Sequence, residues 1–331
     1  MTIICSLLHL PCNILLNCVK LVRSIVNVLS VSYNFLHFKM YLFKSHNKLM
    51  LKKVTTEMIS KLAFCAPEPN YVHSDVTVFL RTPKAEIVST IILQHDDFIE
   101  KNKHLPSPRF DDMLILCHGN AEDISWGPSG CRSYAVTLME NLKMNVLIFD
   151  YPGYGLSSNV VPSEDGMKDA IMTVCNYCQE VLEVKNLYII GKSIGSFPAL
   201  YAAQNAQLHC LRGVLLQSPF ASGVRTTIIP KLFPKAIVEQ LDMIFAPNLQ
   251  IIKKSKVYIA IIHGNQDTII PKDHSELLWQ NIPTSFKFDR LLLCGSNAFP
   301  VNHNNLEIKC FDEICDLMNS LIQKTRIPVV S

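Results

Sequence analysis

The sequence predicts an α/β fold with a mostly parallel, doubly wound sheet, flanking helices and a small cap. Two observations carry this. Short, fully apolar runs such as residues 113–117, 146–149 and 187–190 alternate with segments of helical periodicity. Strands that are apolar throughout belong to a sheet covered on both faces, and the alternation implies parallel crossovers. The second observation is the stretch Leu187-Tyr188-Ile189-Ile190-Gly191-Lys192-Ser193-Ile194-Gly195. It reads as a strand, a sharp turn with a serine at its apex, and then a helix over about 197–206. The two glycines suit that turn because a Cβ at either position would clash where strand and helix backbones cross.

The chain of 331 residues is long enough for one large α/β domain plus an extension. A formal net charge of +3, scattered along the chain, argues against a nucleic-acid partner. The 12 cysteines lack the spacing of a disulfide framework, so a reducing cytosol is expected for the main domain. Cys175-x-x-Cys178 has no second pair at zinc-site spacing, and no metal or other cofactor is expected. These cysteines read as small buried apolar residues.

Residues 1–55 differ from the rest. Residues 2–19 carry no Lys, Arg, Asp or Glu, Lys20 and Arg23 follow, and 24–38 is again free of those charges. Eighteen residues at about 1.5 Å each reach about 27 Å, close to one bilayer core. Pro11, Asn13 and Asn17 weaken a continuous span. The segment reads as a membrane anchor, either spanning or lying in the interface. The basic residues behind it favour a downstream domain on the cytosolic side. Cys5, Cys12 and Cys18 sit in this setting as candidate S-acylation sites; plain apolar filler is the alternative. Residues 44–53 read as a basic juxtamembrane linker, and the α/β domain is expected over 56–331.

Within the domain, strands are expected over 76–81, 87–94, 113–117, 146–149, 187–190, 213–217, 257–262 and 290–294. Helices are expected over 131–142, 163–182 with Ser163 as N-cap, and 306–322 as one long element. Residues 224–256, with Pro230, Pro234 and Pro247, read as a cap or lid.

The serine turn sets Ser193 near a helix N-terminus, where the N–H of Ile194 faces a developing oxyanion. A serine hydroxyl at its ordinary pKa is a weak nucleophile and needs an oriented base. On this architecture the ligand face lies at the C-terminal ends of the strands. Asp267 follows the 257–262 strand, where an orienting carboxylate belongs. His303 follows the last strand and precedes the last helix. The order Ser193, Asp267, His303 is the order of hydrolases with a Gly-x-Ser-x-Gly turn. His118 and His263 precede glycines at strand ends and read as turn-shaping; His274 falls in a predicted helix and reads as structural. A second oxyanion donor is expected from the N–H of Asn120 or Ala121.

Several motifs in one order carry a resemblance. They are His118-Gly119-Asn120-Ala121-Glu122-Asp123, Asp150-Tyr151-Pro152-Gly153-Tyr154-Gly155, Gly191-Lys192-Ser193-Ile194-Gly195, the run from Ser218 to Arg225, His263-Gly264-Asn265-Gln266-Asp267 and His303-Asn304-Asn305-Leu306-Glu307. Over about residues 60–323 the chain resembles the α/β-hydrolase domain-containing 17 subfamily. The resemblance implies a serine hydrolase that removes palmitoyl groups from S-acylated, membrane-associated proteins. It also implies attachment to plasma or endosomal membranes with the catalytic domain facing the cytosol. By position, Ser193 is then the nucleophile, Asp267 the orienting acid and His303 the base. A lipid esterase of the monoacylglycerol or lysophospholipid type and an inactive membrane scaffold are the alternatives. Three departures stand out. The N-terminal cysteines are spread out where the subfamily's are clustered. Lys192 stands where the subfamily usually has glutamine. The approach to His303 is lengthened by residues 297–301 and lacks the subfamily's glycines.

Overall fold

A computed structural model describes residues 63–104, 110–127, 129–227, 230, 234–243 and 245–327. The predicted anchor and linker, including Cys5, Cys12 and Cys18, lie outside the described residues. The following refers to the compact unit Ala66–Ser331. No helix among the described residues is long and apolar enough to cross a membrane.

The strands are β1 (Val78–Arg81), β2 (Ile87–Leu93), β3 (Asp112–Cys117), β4 (Asn145–Phe149), β5 (Asn186–Lys192), β6 (Leu211–Gln217), β7 (Tyr258–Gly264) and β8 (Lys287–Cys294). They form one sheet in the order β1-β2-β4-β3-β5-β6-β7-β8. β2 runs antiparallel to both its neighbours, and every pairing from β4 to β8 is parallel. Strands β3, β4 and β5 are buried almost end to end, as a sheet covered on both faces requires.

The helices are α1 (Asp96–Asn102), α2 (Arg132–Leu142), α3 (Glu164–Asn176), α4 (Ser196–Ala203), α5 (Lys235–Leu241), α6 (Asn248–Ile251), α7 (Asp273–Asn281), α8 (Leu306–Lys309) and α9 (Phe311–Thr325). Ser163 caps α3, its hydroxyl accepting the N–H of Gly166 at 3.0 Å. The helix runs on through a π turn, Tyr177–Val181, with Cys175 and Cys178 both fully buried.

Two elements depart from the sequence reading. The short α1 was not anticipated; it is capped by the His95 ring, which accepts the N–H of Asp97. The single C-terminal helix is broken into α8 and α9 at Cys310, whose φ −126° and ψ 33° are not helical. α9 packs on β6 and β7, with Leu321 filling the space left by the missing side chain of Gly213.

The described residues of 224–256, read from the sequence as a cap or lid, include the short α5 and α6 and are tied down at several points. Arg225 makes a two-pronged ion pair with the fully buried Asp242 at 2.7 and 2.9 Å, and the Ser222 hydroxyl donates to the same carboxylate. Asn248 of α6 donates to the Ser196 hydroxyl at 3.1 Å and the Phe220 carbonyl at 2.8 Å. The segment therefore packs on the start of α4, three residues past Ser193.

Candidate active site

The turn after β5 is built by its glycines. A Cβ on Gly191 would lie 2.7 Å from the Gly195 carbonyl oxygen and 2.8 Å from the Ala199 side chain. A Cβ on Gly195 would lie 2.1 Å from the Cys117 carbonyl oxygen and 2.8 Å from that of His118. Real Cβ atoms do not approach backbone so closely, so only glycine lets the strand, the helix and the end of β3 meet here. Ser193 between them has φ +52°, the left-handed region that costs a non-glycine residue about 1 kcal/mol or more. Strain of this kind persists only where the surroundings impose it.

The close contact of Gly195 with Cys117 and His118 also brings the loop after β3, with Asn120 and Ala121, beside the serine turn. That loop is held by aromatic hydroxyls: Tyr151 donates to the His118 carbonyl at 3.0 Å, and Tyr154 to the Asn120 side-chain oxygen at 2.8 Å.

The structure brings Ser193, His303 and Asp267 together. The His303 Nε2 lies 3.0 Å from the Ser193 Oγ, and its Nδ1 lies 2.7 Å from the Asp267 Oδ2. A carboxylate can only accept, so Nδ1 carries the proton and Nε2 presents a lone pair to the serine hydroxyl. The Asp267 side chain is fully buried, and the His303 ring is 12% exposed. Burial works against the ionised form of Asp267, but His263 and His303 outweigh it and hold the carboxyl well below the ordinary range. The Asp267 Oδ1 also accepts the N–H groups of Ile269 and Ile270 at 2.9 and 2.8 Å.

The longer approach to His303 does not displace the imidazole. Ser296 and Phe299 close the extra residues into a turn through reciprocal backbone hydrogen bonds. Val301 is then fully buried against Gly264 and Gly295, and its carbonyl accepts the N–H of Gln266 at 3.0 Å. The insertion folds on itself, and the chain is pinned again two residues before His303.

His263 was read as turn-shaping, and it does more. Its Nε2 faces the Ile270 carbonyl at 2.8 Å and the Asp267 Oδ2 at 3.3 Å, while its Nδ1 meets the Ser275 hydroxyl at 2.6 Å. It thus contacts the same Asp267 oxygen that His303 does. The signal was present in the sequence: His263 closes a buried strand four residues before Asp267. Lys192 has half-buried partners of its own. Its ammonium contacts Glu122, and it lies 2.8 Å from Glu307. Lys192, Gln217, Ser218, His303, Leu306 and Glu307 line a small cavity beside the imidazole.

Comparison with known proteins agrees with this fold. A family model described as the alpha/beta hydrolase fold matches residues 112–249. The α/β hydrolase domain-containing protein aho-3 of Caenorhabditis elegans is 26% identical over 268 residues, which is 76% of this chain and 74% of that protein. Alpha/beta hydrolase domain-containing protein 17C of mouse is 29% identical over 205 residues, covering 61% of this chain and 57% of its own length. Among solved structures, the Pyrococcus furiosus esterase Pf2001 superposes with a TM-score of 0.59 over 80% of this chain and 99% of its own, at 14% identity, a likeness of fold. Sheet order, serine turn and the matched family model agree: this chain has the α/β-hydrolase fold, and it is similar in sequence to the 17C proteins.

Proposed function

We propose that this protein is a serine hydrolase that cleaves the thioester of S-acylated, membrane-associated proteins. The observation that carries the reading is the His303 ring, bonded to Asp267 through one nitrogen and facing Ser193 with the other. As the thioester carbonyl enters, the Ser193 Oγ attacks it and the hydroxyl proton passes to Nε2 of His303. Asp267 steadies the imidazolium that forms. The negative oxygen of the tetrahedral intermediate is met by the N–H of Ile194 and an N–H of Asn120 or Ala121. Each such donor contributes about 3 kcal/mol to lowering the barrier. The C–S bond breaks, the cysteine sulfur leaves with the proton from His303, and Ser193 keeps the acyl group. Water, deprotonated by His303, then releases the fatty acid.

The choice of thioester rests on what the motif resemblance to the α/β-hydrolase domain-containing 17 subfamily implies, and membrane attachment on the apolar, cysteine-bearing residues 1–38. A fluorophosphonate probe is expected to label the wild-type protein and not Ser193→Ala; equal labelling of both ends the mechanism. Offering a palmitoylated peptide and a monoacylglycerol side by side decides the substrate. Preferential hydrolysis of the glycerolipid makes the protein a lipid esterase using the same three groups.

A further inference from the structure

Lys192 ends β5 and immediately precedes Ser193. Its side chain is only 16% exposed. A cation so far removed from water must be paired, and it is paired twice, with carboxylates from two other parts of the chain. Glu122 lies in the loop after β3, and its second oxygen accepts the N–H of Gly119 at 2.7 Å, next to Asn120 and Ala121. Glu307 lies on α8, four residues past His303, with both oxygens 2.8 Å from the ammonium. One ammonium therefore joins the serine turn, the oxyanion-side loop and the segment carrying the histidine.

The charges are coupled. Burial disfavours ionised Glu122, but Lys192 prevails and holds that carboxyl low. At Glu307 burial prevails and pushes the carboxyl up, with Glu122 adding to the effect and both Lys192 and His303 opposing it. Burial likewise works against the charged ammonium, and the two carboxylates outweigh it and push Lys192 up. Two carboxylates around one ammonium leave a surplus negative charge within electrostatic reach of the ring that becomes positive during attack.

We propose that Lys192 is a positioning residue, whose ammonium holds the oxyanion-side loop and the histidine-bearing segment in register with Ser193. The proposal rests on the triad reading above and adds to it a determinant of turnover. Without the ammonium, two half-buried carboxylates face each other with no cation between them, and Glu122 loses the partner that keeps it ionised on Gly119. Displacement of a reacting group by a fraction of an ångström to 1 Å is enough to slow turnover on the order of tenfold to a hundredfold.

The test compares hydrolysis of p-nitrophenyl butyrate by the full chain with Lys192→Met, Glu307→Gln and the double variant. Lys192→Met is expected to lower kcat on the order of tenfold to a hundredfold, with KM changed less than about twofold, since a short ester needs little of the acyl site. Glu307→Gln, nearly isosteric, is expected to lower kcat about tenfold, and the double variant to be no slower than Lys192→Met alone. Where Lys192→Met does not fold, Glu307→Gln and Glu122→Gln carry the test on the same prediction. Unchanged kcat in folded variants, or losses that multiply in the double variant, overturns the positioning role. The Ser193→Ala control separates the two failures. Unlabelled Ser193→Ala with full turnover in Lys192→Met overturns only the role of Lys192; equal probe labelling of Ser193→Ala and wild type overturns the reading beneath it.

Discussion

Among the described residues, His118–Asp150 and His303–Asp267 each join the ends of two neighbouring strands, and only the second pair has a lone pair to lend. At the end of β3, the His118 Nδ1 meets the Gly119 carbonyl at 2.8 Å and its Nε2 lies 3.2 Å from the Asp150 Oδ1. The second contact is an ion pair rather than an aligned hydrogen bond. Both ring nitrogens face acceptors, so the ring is best satisfied with two protons. Burial alone would lower its pKa, but Asp150 and the Gly119 carbonyl outweigh burial and push it up. At His303 one nitrogen faces a carboxylate and the other a hydroxyl, which can donate. The same two residue types thus yield a fixed ion pair in one place and, in the other, an imidazole whose second nitrogen faces a hydroxyl. What decides is the partner of the second nitrogen and whether a substrate can reach it: His118 and Asp150 have no exposed side-chain surface, and His303 keeps a little.

The strongest way to break this comparison is to remove each ring. His303→Ala is expected to lower kcat by about 10⁴-fold or more, with a smaller loss of stability than His118→Ala because Asp267 keeps His263 and the amides of Ile269 and Ile270. His118→Ala is expected to do the reverse. It strands the buried Asp150 carboxylate without its cationic partner, at a cost of about 3–5 kcal/mol in folding stability. Chemical denaturation and ester turnover on both variants check this. A stable His118→Ala beside an unstable His303→Ala would invert the two roles.

How much of this was legible in the sequence follows from the same physics. The sheet and the Ser193 turn were readable because apolar runs and glycine spacing are local signals. The order of Ser193, Asp267 and His303 was readable because parallel topology sends the C-terminal ends of successive strands to one edge. The roles of His118 and His263 were only half visible, since their partners come from residues distant in sequence or from backbone carbonyls. The partners of Lys192 were hidden for the same reason, although a lone lysine closing a buried strand is itself a signal that carboxylates lie near. The break at Cys310 was invisible because the apolar periodicity continues across it. The tolerated insertion before His303 depends on Val301 finding a slot beside two glycines, which no periodicity reports.

A third buried histidine sharpens the contrast through pH. The His274 Nδ1 accepts the N–H of Ala221 at 3.0 Å, which requires an unprotonated nitrogen. Burial, then the charges of His263 and Arg225, bring its pKa down to about 4 from 6.5. With the folded value below the unfolded one, the unfolded chain binds more protons between these values. The contribution of His274 is therefore complete above about pH 6.5 and is lost as pH falls toward 4. At about 1.4 kcal/mol per unit this is on the order of 3 kcal/mol. His118 has the opposite sign. Its raised value gives stability that is present below about pH 6.5 and is lost as pH rises through its folded value. Melting curves from pH 7 to 4 are expected to show a falling midpoint, and the fall is expected to be shallower in His274→Gln. An unchanged slope in that variant would remove His274 from the account.

The smallest of these effects isolates the aspartate of the fixed pair. The Tyr71 hydroxyl donates to the Asp150 Oδ2, accepts the N–H of Leu156 at 2.8 Å and lies 2.9 Å from the Ser89 hydroxyl. Asp150 also accepts the N–H of Ile124 at 3.2 Å, so its carboxylate is held by a tyrosine, a histidine and a backbone amide. Tyr71→Phe keeps the ring and removes one donor to Asp150 together with the acceptor for Leu156. Leaving buried polar groups short of a partner costs about 2 kcal/mol here, less than the loss of His118 because the ion pair survives. The variant is expected to melt earlier while labelling with a fluorophosphonate at the wild-type rate below its melting point. Tyr71 and Asp150 act on the frame of the β3 and β4 ends, and the Asp267–His303 pair has its own supports in His263 and the Ile269 and Ile270 amides. A labelling rate that falls in step with stability would mean that the two pairs are one coupled network, and the division between fixed and reactive histidine would have to be withdrawn.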